Sequence, residues 1–234
     1  MAGNLFLVST PIGNLEDITY RAVRTLQECD LIAAEDTRHT ALLLQRYDIR
    51  KPLESFHAFN EHNKVEKLIG RIKEGLNVAL VSDAGTPAVA DPGFLPLRAA
   101  LEAGLEPVVI PGVSAVTFSV TASGLPVDRF AFWNFVPVKS GRKRTFFEEI
   151  ARCNYTVFCF ESPFRIEGTL KLIAEIMPEA QVAVIREATK LHEEIIRGRA
   201  ADLAAQERRW KGEFVIGICN KKLRNSGESA EQEE

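Results

Sequence analysis

Short apolar runs alternate with longer amphipathic stretches along this chain, and that alternation constrains its fold more than any other feature. Leu5-Phe-Leu-Val8 reads as a buried strand bounded by Thr10-Pro-Ile-Gly13. Ile18, Ala22, Val23 and Leu26 then follow helical spacing. The strand Leu31-Ile-Ala-Ala34 precedes a helix from Thr40 to Tyr47, and Val65, Leu68, Ile69 and Ile72 mark a further helical face. Asn77-Val-Ala-Leu-Val-Ser82 is the clearest strand. Phe94 to Ala103 is a helix stopped by Gly104, Pro107-Val-Val-Ile110 a strand, and Ser114 to Ser123 a helix. Strands separated by helices need crossover connections, so the sheet is expected to be largely parallel and the class α/β.

Ser123-Gly-Leu-Pro126 interrupts the pattern, and a second alternation follows. Its strands are expected at Phe130–Val136, Tyr155–Phe160, Gln181–Ile185, Glu194–Ile196 and Glu213–Ile218. Its helices fall near Arg144 to Ala151, Ile166 to Met177 and Ala200 to Arg209. The expected organisation is an N-terminal α/β domain over 1–122, a C-terminal one over 123–222, and an acidic disordered tail over 223–234. No internal repeat is visible.

Net charge would ordinarily speak for or against a nucleic-acid partner, and here it is −3. The last ten residues, Asn225–Glu234, hold four glutamates and no base; the remainder has 29 basic and 28 acidic residues, a balance of +1. The folded part is therefore neutral, and net charge leaves the partner open. No apolar run approaches the roughly 18 residues of a membrane span, and Met1–Val8 lacks the layout of a signal peptide. The cysteines Cys29, Cys153, Cys159 and Cys219 are scattered, as expected of reduced thiols in a cytoplasmic protein rather than of a disulfide framework or zinc site. No Gly-x-Gly dinucleotide fingerprint or phosphate-binding P-loop is present, and His192-Glu-Glu-Ile-Ile196 lacks the second histidine of a zinc protease helix.

In open α/β sheets ligands sit beyond the carboxyl ends of strands, so the loops leaving the strands carry the chemistry. The first is Ser9-Thr-Pro-Ile-Gly-Asn-Leu-Glu-Asp17, where Asn14 or Asp17 also suits a helix cap. The second, Ala34-Glu-Asp-Thr-Arg38, sets two carboxylates and a guanidinium after an apolar strand; a cap by Asp36 with Arg38 in solvent explains it equally well. The third, Ser55–His62, offers His57, Asn60 and Glu61. The fourth, Ser82-Asp-Ala-Gly-Thr-Pro-Ala-Val-Ala-Asp-Pro-Gly93, is long, stiff and small-residued, as a loop that approaches a ligand should be. The fifth, Ile110-Pro-Gly-Val-Ser-Ala115, places Ser114 at a helix start. Phe160-Glu-Ser-Pro-Phe-Arg165, Arg186-Glu-Ala-Thr-Lys190 and Lys211-Gly-Glu213 put further polar groups at strand ends, so a cleft between two domains is expected.

Taken in order, these segments closely resemble the ribosomal RNA small subunit methyltransferase I family, which has the tetrapyrrole methylase fold. The matching stretches are Ser9–Thr19, Ala33–Arg38, Ser82–Pro87, Asp91–Gly93, Pro111–Ala115, Gly124–Pro126, Glu161–Pro163, Arg186-Glu187 with Thr189-Lys190, and Lys211–Glu213. The resemblance implies a two-domain class III methyltransferase fold, a mostly parallel N-terminal sheet and a mixed C-terminal one. It also implies a homodimer and S-adenosyl-L-methionine bound in the interdomain cleft. The implied reaction is methylation of a cytidine ribose 2′-hydroxyl in the decoding centre of 16S ribosomal RNA within the small subunit. By position, the cofactor would touch Ile12, Asp83, Ala84, Thr86, Ser114, Ala115 and Phe160. The chain departs from the family's usual pattern at Ser9, Val113, Asn134 (where Gly is usual), Phe160 and Phe164 (often Tyr and His) and Ala188, and lacks the helical C-terminal extension of longer members.

A ribose hydroxyl is a poor nucleophile and must be aligned with the methyl donor and relieved of a proton, chemistry that calls for no metal. Candidate bases or orienting groups are Glu35, Asp36, Arg38, His57, Glu61 and Glu187. Candidate RNA contacts are Asn14, Asn60, Arg165, Arg186, Lys190 and the basic stretch Lys139-Ser-Gly-Arg142-Lys143-Arg144 beside Phe132, Trp133 and Phe135. The last also reads as a solvated loop. Recognition by a local patch on a neutral protein predicts weak binding to random RNA. Two alternatives compete with this reading: methylation of a tetrapyrrole of the precorrin type, against which the first loop argues because those enzymes resemble Gly-x-Gly-Pro-Gly-Asp there, and a cofactor- or RNA-binding paralogue without activity.

Overall fold

The computed structural model describes residues 2–56, 61–90 and 93–221, and of residues 61–63 the backbone alone. The chain divides into two compact units, Met1–Phe118 and Ser119–Glu234.

Unit 1 is a five-stranded sheet made of β1 (Leu5–Val8), β2 (Leu31–Ala34), β3 (Leu53–Ser55), β4 (Val78–Val81) and β5 (Val108–Ile110). Their spatial order is β3-β2-β4-β1-β5 and every pairing is parallel, as the alternation predicts. Helices α1 (Tyr20–Glu28), α2 (Thr37–Arg46), α3 (Glu61–Lys73) and α4 (Phe94–Glu102) make the crossovers. Period-two alternation distributes each strand over two cores. Leu5, Leu7, Leu31, Ala33, Val78 and Leu80 pack with Val65, Leu68, Ile69 and Ile72 of α3 and Ala100 of α4. Val8, Ile32, Ala34, Ala79 and Val81 pack with Ala22 and Leu26 of α1 and Leu44 of α2.

This order fixes where a ligand can sit. The chain leaves β2 towards the β3 edge and leaves its neighbour β4 in the opposite direction, towards β5. Between two adjacent strands whose connections diverge, the carboxyl edge of a sheet opens into a crevice.

Helix α5 (Ala115–Ser123) carries the division between the units. Unit 2 holds β6 (Phe130–Phe135), β7 (Thr156–Glu161), β8 (Gln181–Arg186), β9 (Glu194–Arg199) and β10 (Phe214–Cys219) in the order β6-β7-β10-β8-β9. Only β6 and β7 run parallel, so the sheet is mixed. Its core is built on Phe147 and Ile150 of α6 (Ser140–Ala151), Ile166, Leu170 and Ile173 of α7 (Ile166–Ile176), and Leu203 of α8 (Ala200–Ala204). Asn134 has φ 57° where β6 shifts register against β7 between Phe132 and Phe135. Asn tolerates the left-handed region better than other side chains, which explains its standing where Gly is usual.

Four expectations shift. β3 was not foreseen. Helix α2 starts at Thr37 rather than Thr40, because the Asp36 side chain caps it by accepting the Arg38 N–H. Helix α6 starts at Ser140, so Ser140–Arg144 is its first turn rather than a loop. Helix α8 stops at Ala204, short of Arg209; beyond it Arg208 reaches back to Glu194 and lies 5.3 Å from the Trp210 ring centre. No helix among the described residues is long and apolar enough to cross a membrane.

Candidate active site

The loops leaving β1, β2, β4 and β5 are joined to one another by specific bonds. Thr10 and Gly85 exchange two backbone hydrogen bonds, Thr10 N–H to Gly85 O at 2.9 Å and Gly85 N–H to Thr10 O at 3.0 Å, which closes the first loop onto the fourth. Gly85 does this at φ 77°, and a Cβ there would lie 3.3 Å from Ile12 Cγ2. The Ser9 and Thr86 hydroxyls are 3.1 Å apart. The fifth loop approaches the first so closely that a Cβ on Gly112 would stand 2.8 Å from Ser9 Cβ. Ala88 and Ala90, in the fourth loop, hold φ of 69° and 68°. Such conformations cost about 1–3 kcal/mol each and persist where the surroundings over-determine them, commonly at ligand clamps.

At the divergence of β2 and β4 the second and fourth loops meet through acidic residues. The Asp36 N–H donates to Asp83 Oδ1 at 2.8 Å, and the Asp83 N–H lies 3.4 Å from Glu35 Oε2. Glu35, Asp36 and Asp83 are half-buried, as are Ala84, Thr86, Ser114 and Ala115, while Ile12 is buried. Asp36 also caps α2 and binds its own neighbour Arg38, Nη2 to Oδ2 at 2.8 Å. The guanidinium holds the Asp36 carboxyl well below the usual carboxylate range. A carboxylate so acidic is a poor acceptor of a proton at neutral pH, so Asp36 and Arg38 suit orientation rather than base catalysis. Ser114 caps α5, its hydroxyl accepting the Val116 N–H at 3.3 Å. Asn14 caps the short 3₁₀ turn Leu15–Asp17. His57 and Asn60 lie outside the described residues. Glu61 opens α3, and its side chain is likewise outside them.

In unit 2 most of the predicted RNA-contacting cations are held within the protein. Arg165 Nη2 is 2.7 Å from Glu161 Oε1, and Lys143 Nζ bonds the Thr169 hydroxyl at 3.1 Å and stands 3.9 Å from Glu161 Oε2. Arg144 pairs with Glu175 at 2.8 Å. Arg186 donates to the Lys211 and His192 carbonyls. Of these predicted contacts Arg142, and Lys139 just before the helix, are exposed with no carboxylate partner among the described residues. Phe160 stacks edge-on against Phe132, ring centres 4.9 Å apart, and tilts against Phe135 at 5.1 Å.

Glu187 and Lys190 form a lock rather than an open acid–base pair. Glu187, at φ 51°, accepts the Glu213 N–H at 2.8 Å, and Lys190 Nζ bridges it to Glu213 at 3.3 and 2.8 Å. Gly212 runs so close beneath that a Cβ would lie 2.5 Å from Glu187 Cγ. Burial works against the Glu187 charge, but the Glu213 N–H and Lys190 outweigh it, so its pKa is held below the ordinary value. A depressed acid stabilises the fold above its unfolded pKa, and that contribution disappears as pH falls through the folded value. The Glu213 amide, which donates to Glu187, is therefore expected to be protected from exchange at neutral pH and to lose that protection, relative to intrinsic rates, in acid below the ordinary glutamate pKa of about 4.3. In Glu187→Gln, protection of the Glu213 amide is expected to be pH-insensitive once corrected for intrinsic rates.

Sequence reading missed Glu161 as a working residue. Its side chain is fully buried at the end of β7, where it accepts the Ser162 N–H and the Thr169 hydroxyl besides its two cations. The available signal was a carboxylate ending an apolar strand with an arginine four residues on. Among the described residues no three His, Cys, Asp or Glu side chains gather where they could hold a metal ion.

Comparison with known proteins adds the family. Residues 4–204 match the model of the Tetrapyrrole (Corrin/Porphyrin) Methylases. The chain is 42% identical over 221 residues to "Ribosomal RNA small subunit methyltransferase I" of Thermotoga maritima, covering 94% of this chain and 99% of that one. It is 44% identical over 219 residues to the protein of the same name from Escherichia coli O157:H7, covering 92% and 77%. The crystal structure of the methyltransferase CobJ superposes with a TM-score of 0.71 at 19% identity over 97% of this chain and 98% of that one, a likeness of fold.

Proposed function

The chain belongs to the ribosomal RNA small subunit methyltransferase I family, and from that premise we propose that it transfers a methyl group from S-adenosyl-L-methionine to the 2′-hydroxyl of a cytidine in the decoding centre of 16S ribosomal RNA. The observation that carries this reading is the bonding of the β2 and β4 loops through Asp36 and Asp83, at the point where the sheet's connections diverge.

The unit 1 loops suit such a cofactor. Small residues line them, Gly85 and Gly112 let backbone come close, and Asp83 keeps a carboxylate oxygen beyond the one that accepts Asp36 N–H. Ile12, Asp83, Ala84, Thr86, Ser114 and Ala115 would hold it. When bound, it supplies a methyl group on a positively charged sulfur, an electrophile that needs no further activation. The protein's own task is then to orient the hydroxyl and take its proton. Glu35 suits the second role better than Asp36, because Asp36 is committed to Arg38 and to its helix.

The test is incubation of the full chain with methyl-labelled S-adenosylmethionine and, separately, small ribosomal subunits, naked 16S RNA and a precorrin. Label on ribosomal RNA alone supports the proposal. Label on the tetrapyrrole, or on nothing despite cofactor binding, overturns it in favour of one of the two alternatives. Arg142 supplies a second readout. Arg142→Glu is expected to raise KM for subunits several-fold with kcat unchanged, because the residue makes no ion pair among the described residues. Reversal at Lys143 is a poorer probe, since it sets an acid beside buried Glu161.

A further inference from the structure

Unit 1 has a cleft of about 250 Å³ that the methyl-transfer site leaves unused. It lies along β3, the outer strand of the sheet, which pairs with β2 alone. Its polar lining is Glu54 and Ser55 of β3 and Lys64, Lys67 and Arg71 of α3. Among the described residues, three cationic side chains thus face one carboxylate. Positions 64, 67 and 71 recur on one side of a helix and span about 10 Å at 1.5 Å per residue.

These cations differ in how far they are engaged. Arg71 grips Glu54 at 2.8 and 2.9 Å, yet its side chain is 40% exposed. Lys64 Nζ donates to the Ser55 carbonyl at 2.8 Å, a neutral acceptor, and no carboxylate among the described residues pairs with it. Lys67 is exposed, and no carboxylate among the described residues pairs with it. An excess of positive charge beside a void, in a chain whose residues 1–224 are near neutral overall, marks a place for an anion. The void is smaller than the roughly 300 Å³ at which small-molecule pockets begin, so it suits one segment of a polymer better than a whole nucleotide. Ser55 ends β3 on the same carboxyl edge from which the Glu35–Asp36 and Asp83 loops leave β2 and β4.

We propose that this cleft holds the phosphodiester backbone of the RNA substrate, with Lys64 and Lys67 as its phosphate contacts. The proposal rests on the ribosomal RNA reading and adds to it a second place of contact, one that the basic stretch at 139–144 does not supply. Lysine ammonium groups bind phosphate as point charges, so the contact fixes the register of the strand and reads no sequence.

The test compares the full-length protein with Lys67→Gln, Lys64→Gln/Lys67→Gln and the control Lys73→Gln, which removes an exposed charge of α3 outside the cleft. Binding to small ribosomal subunits is measured across a salt series, methyl transfer by KM and kcat, and S-adenosylmethionine binding by calorimetry. The slope of log affinity against log salt is expected to fall by about one for each lysine removed. KM for subunits should rise several-fold, with kcat at saturation and cofactor affinity unchanged and with Lys73→Gln behaving as wild type. If the wild type methylates subunits and the double variant keeps its salt slope and KM, the cleft proposal is overturned and the methyl-transfer reading stands. An equal loss in Lys73→Gln overturns it too, by showing an effect of overall charge. A wild type that transfers no methyl to subunit RNA removes the methyl-transfer reading, and the cleft proposal with it.

Discussion

Asp83→Ala is expected to lower kcat/KM for methyl transfer by about 100-fold or more, the scale on which an ångström of misplacement at a reacting centre acts. Two losses combine at this position. The Asp36 N–H loses the carboxylate that ties the β2 loop to the β4 loop, and the proposed cofactor site loses a negative group at the diverging strand ends. Asp83 is half-buried and lies outside both unit 1 cores, so the thermal midpoint should move by only a few degrees. Asp83→Asn separates the two losses. Its amide oxygen can still accept the Asp36 N–H, so any activity it regains over alanine measures the loop tie, and the remainder measures charge. Calorimetric titration of S-adenosylmethionine into each variant reads this directly. Wild-type affinity and turnover in Asp83→Ala would place the cofactor elsewhere.

Glu161→Ala should produce the largest stability loss, about 3–5 kcal/mol, because it removes the acid from a buried ion pair and leaves its cations unanswered. Arg165 and Lys143 are 23% and 14% exposed, which places the expected cost nearer the lower figure. The Ser162 N–H and the Thr169 hydroxyl lose their acceptor as well. Both tryptophans, Trp133 and Trp210, pack on the unit 2 core, so denaturant unfolding followed by tryptophan fluorescence reports this unit. Replacing Glu161, Lys143 and Arg165 together by apolar residues of similar volume should recover much of the loss, since an unpaired buried charge costs more than an absent network. A shift below about 1 kcal/mol in Glu161→Ala would show that water or neighbouring acids compensate the cations.

The order of elements was legible wherever burial on both faces left an unbroken apolar run. β1, β2 and β4 are of this kind, and the parallel sheet follows from them. β3 was not, because Leu53-Glu54-Ser55 is three residues long, lies at the edge and buries none of them fully. The start of α6 was obscured for another reason. Arg142, Lys143 and Arg144 in a first turn oppose the helix dipole, so local rules place the start later. The helix holds because Lys143 and Arg144 answer Glu161 and Glu175, partners 18 and 31 residues away in sequence. The same distance hid the fact that the basic stretch is largely spent inside the protein. The strand-end loops were the readable part of the site, since their glycines and acids sit directly after apolar runs. That Asp36 would cap a helix and bind its own neighbour, which makes it a poor proton acceptor, depends on side-chain geometry that spacing does not carry.

If the acidic loops at the β2–β4 divergence serve methyl transfer to a ribose of small-subunit RNA, the modified nucleoside carries its methyl group on the sugar. Subunits methylated with labelled S-adenosylmethionine can be digested to nucleosides and the label followed by chromatography and mass spectrometry. One labelled product is expected, a cytidine whose methyl group is on the ribose 2′-oxygen, formed about 100-fold or more slowly when Asp83→Ala replaces the wild type. Label on a base, or on the ribose at undiminished rate in Asp83→Ala, would contradict it.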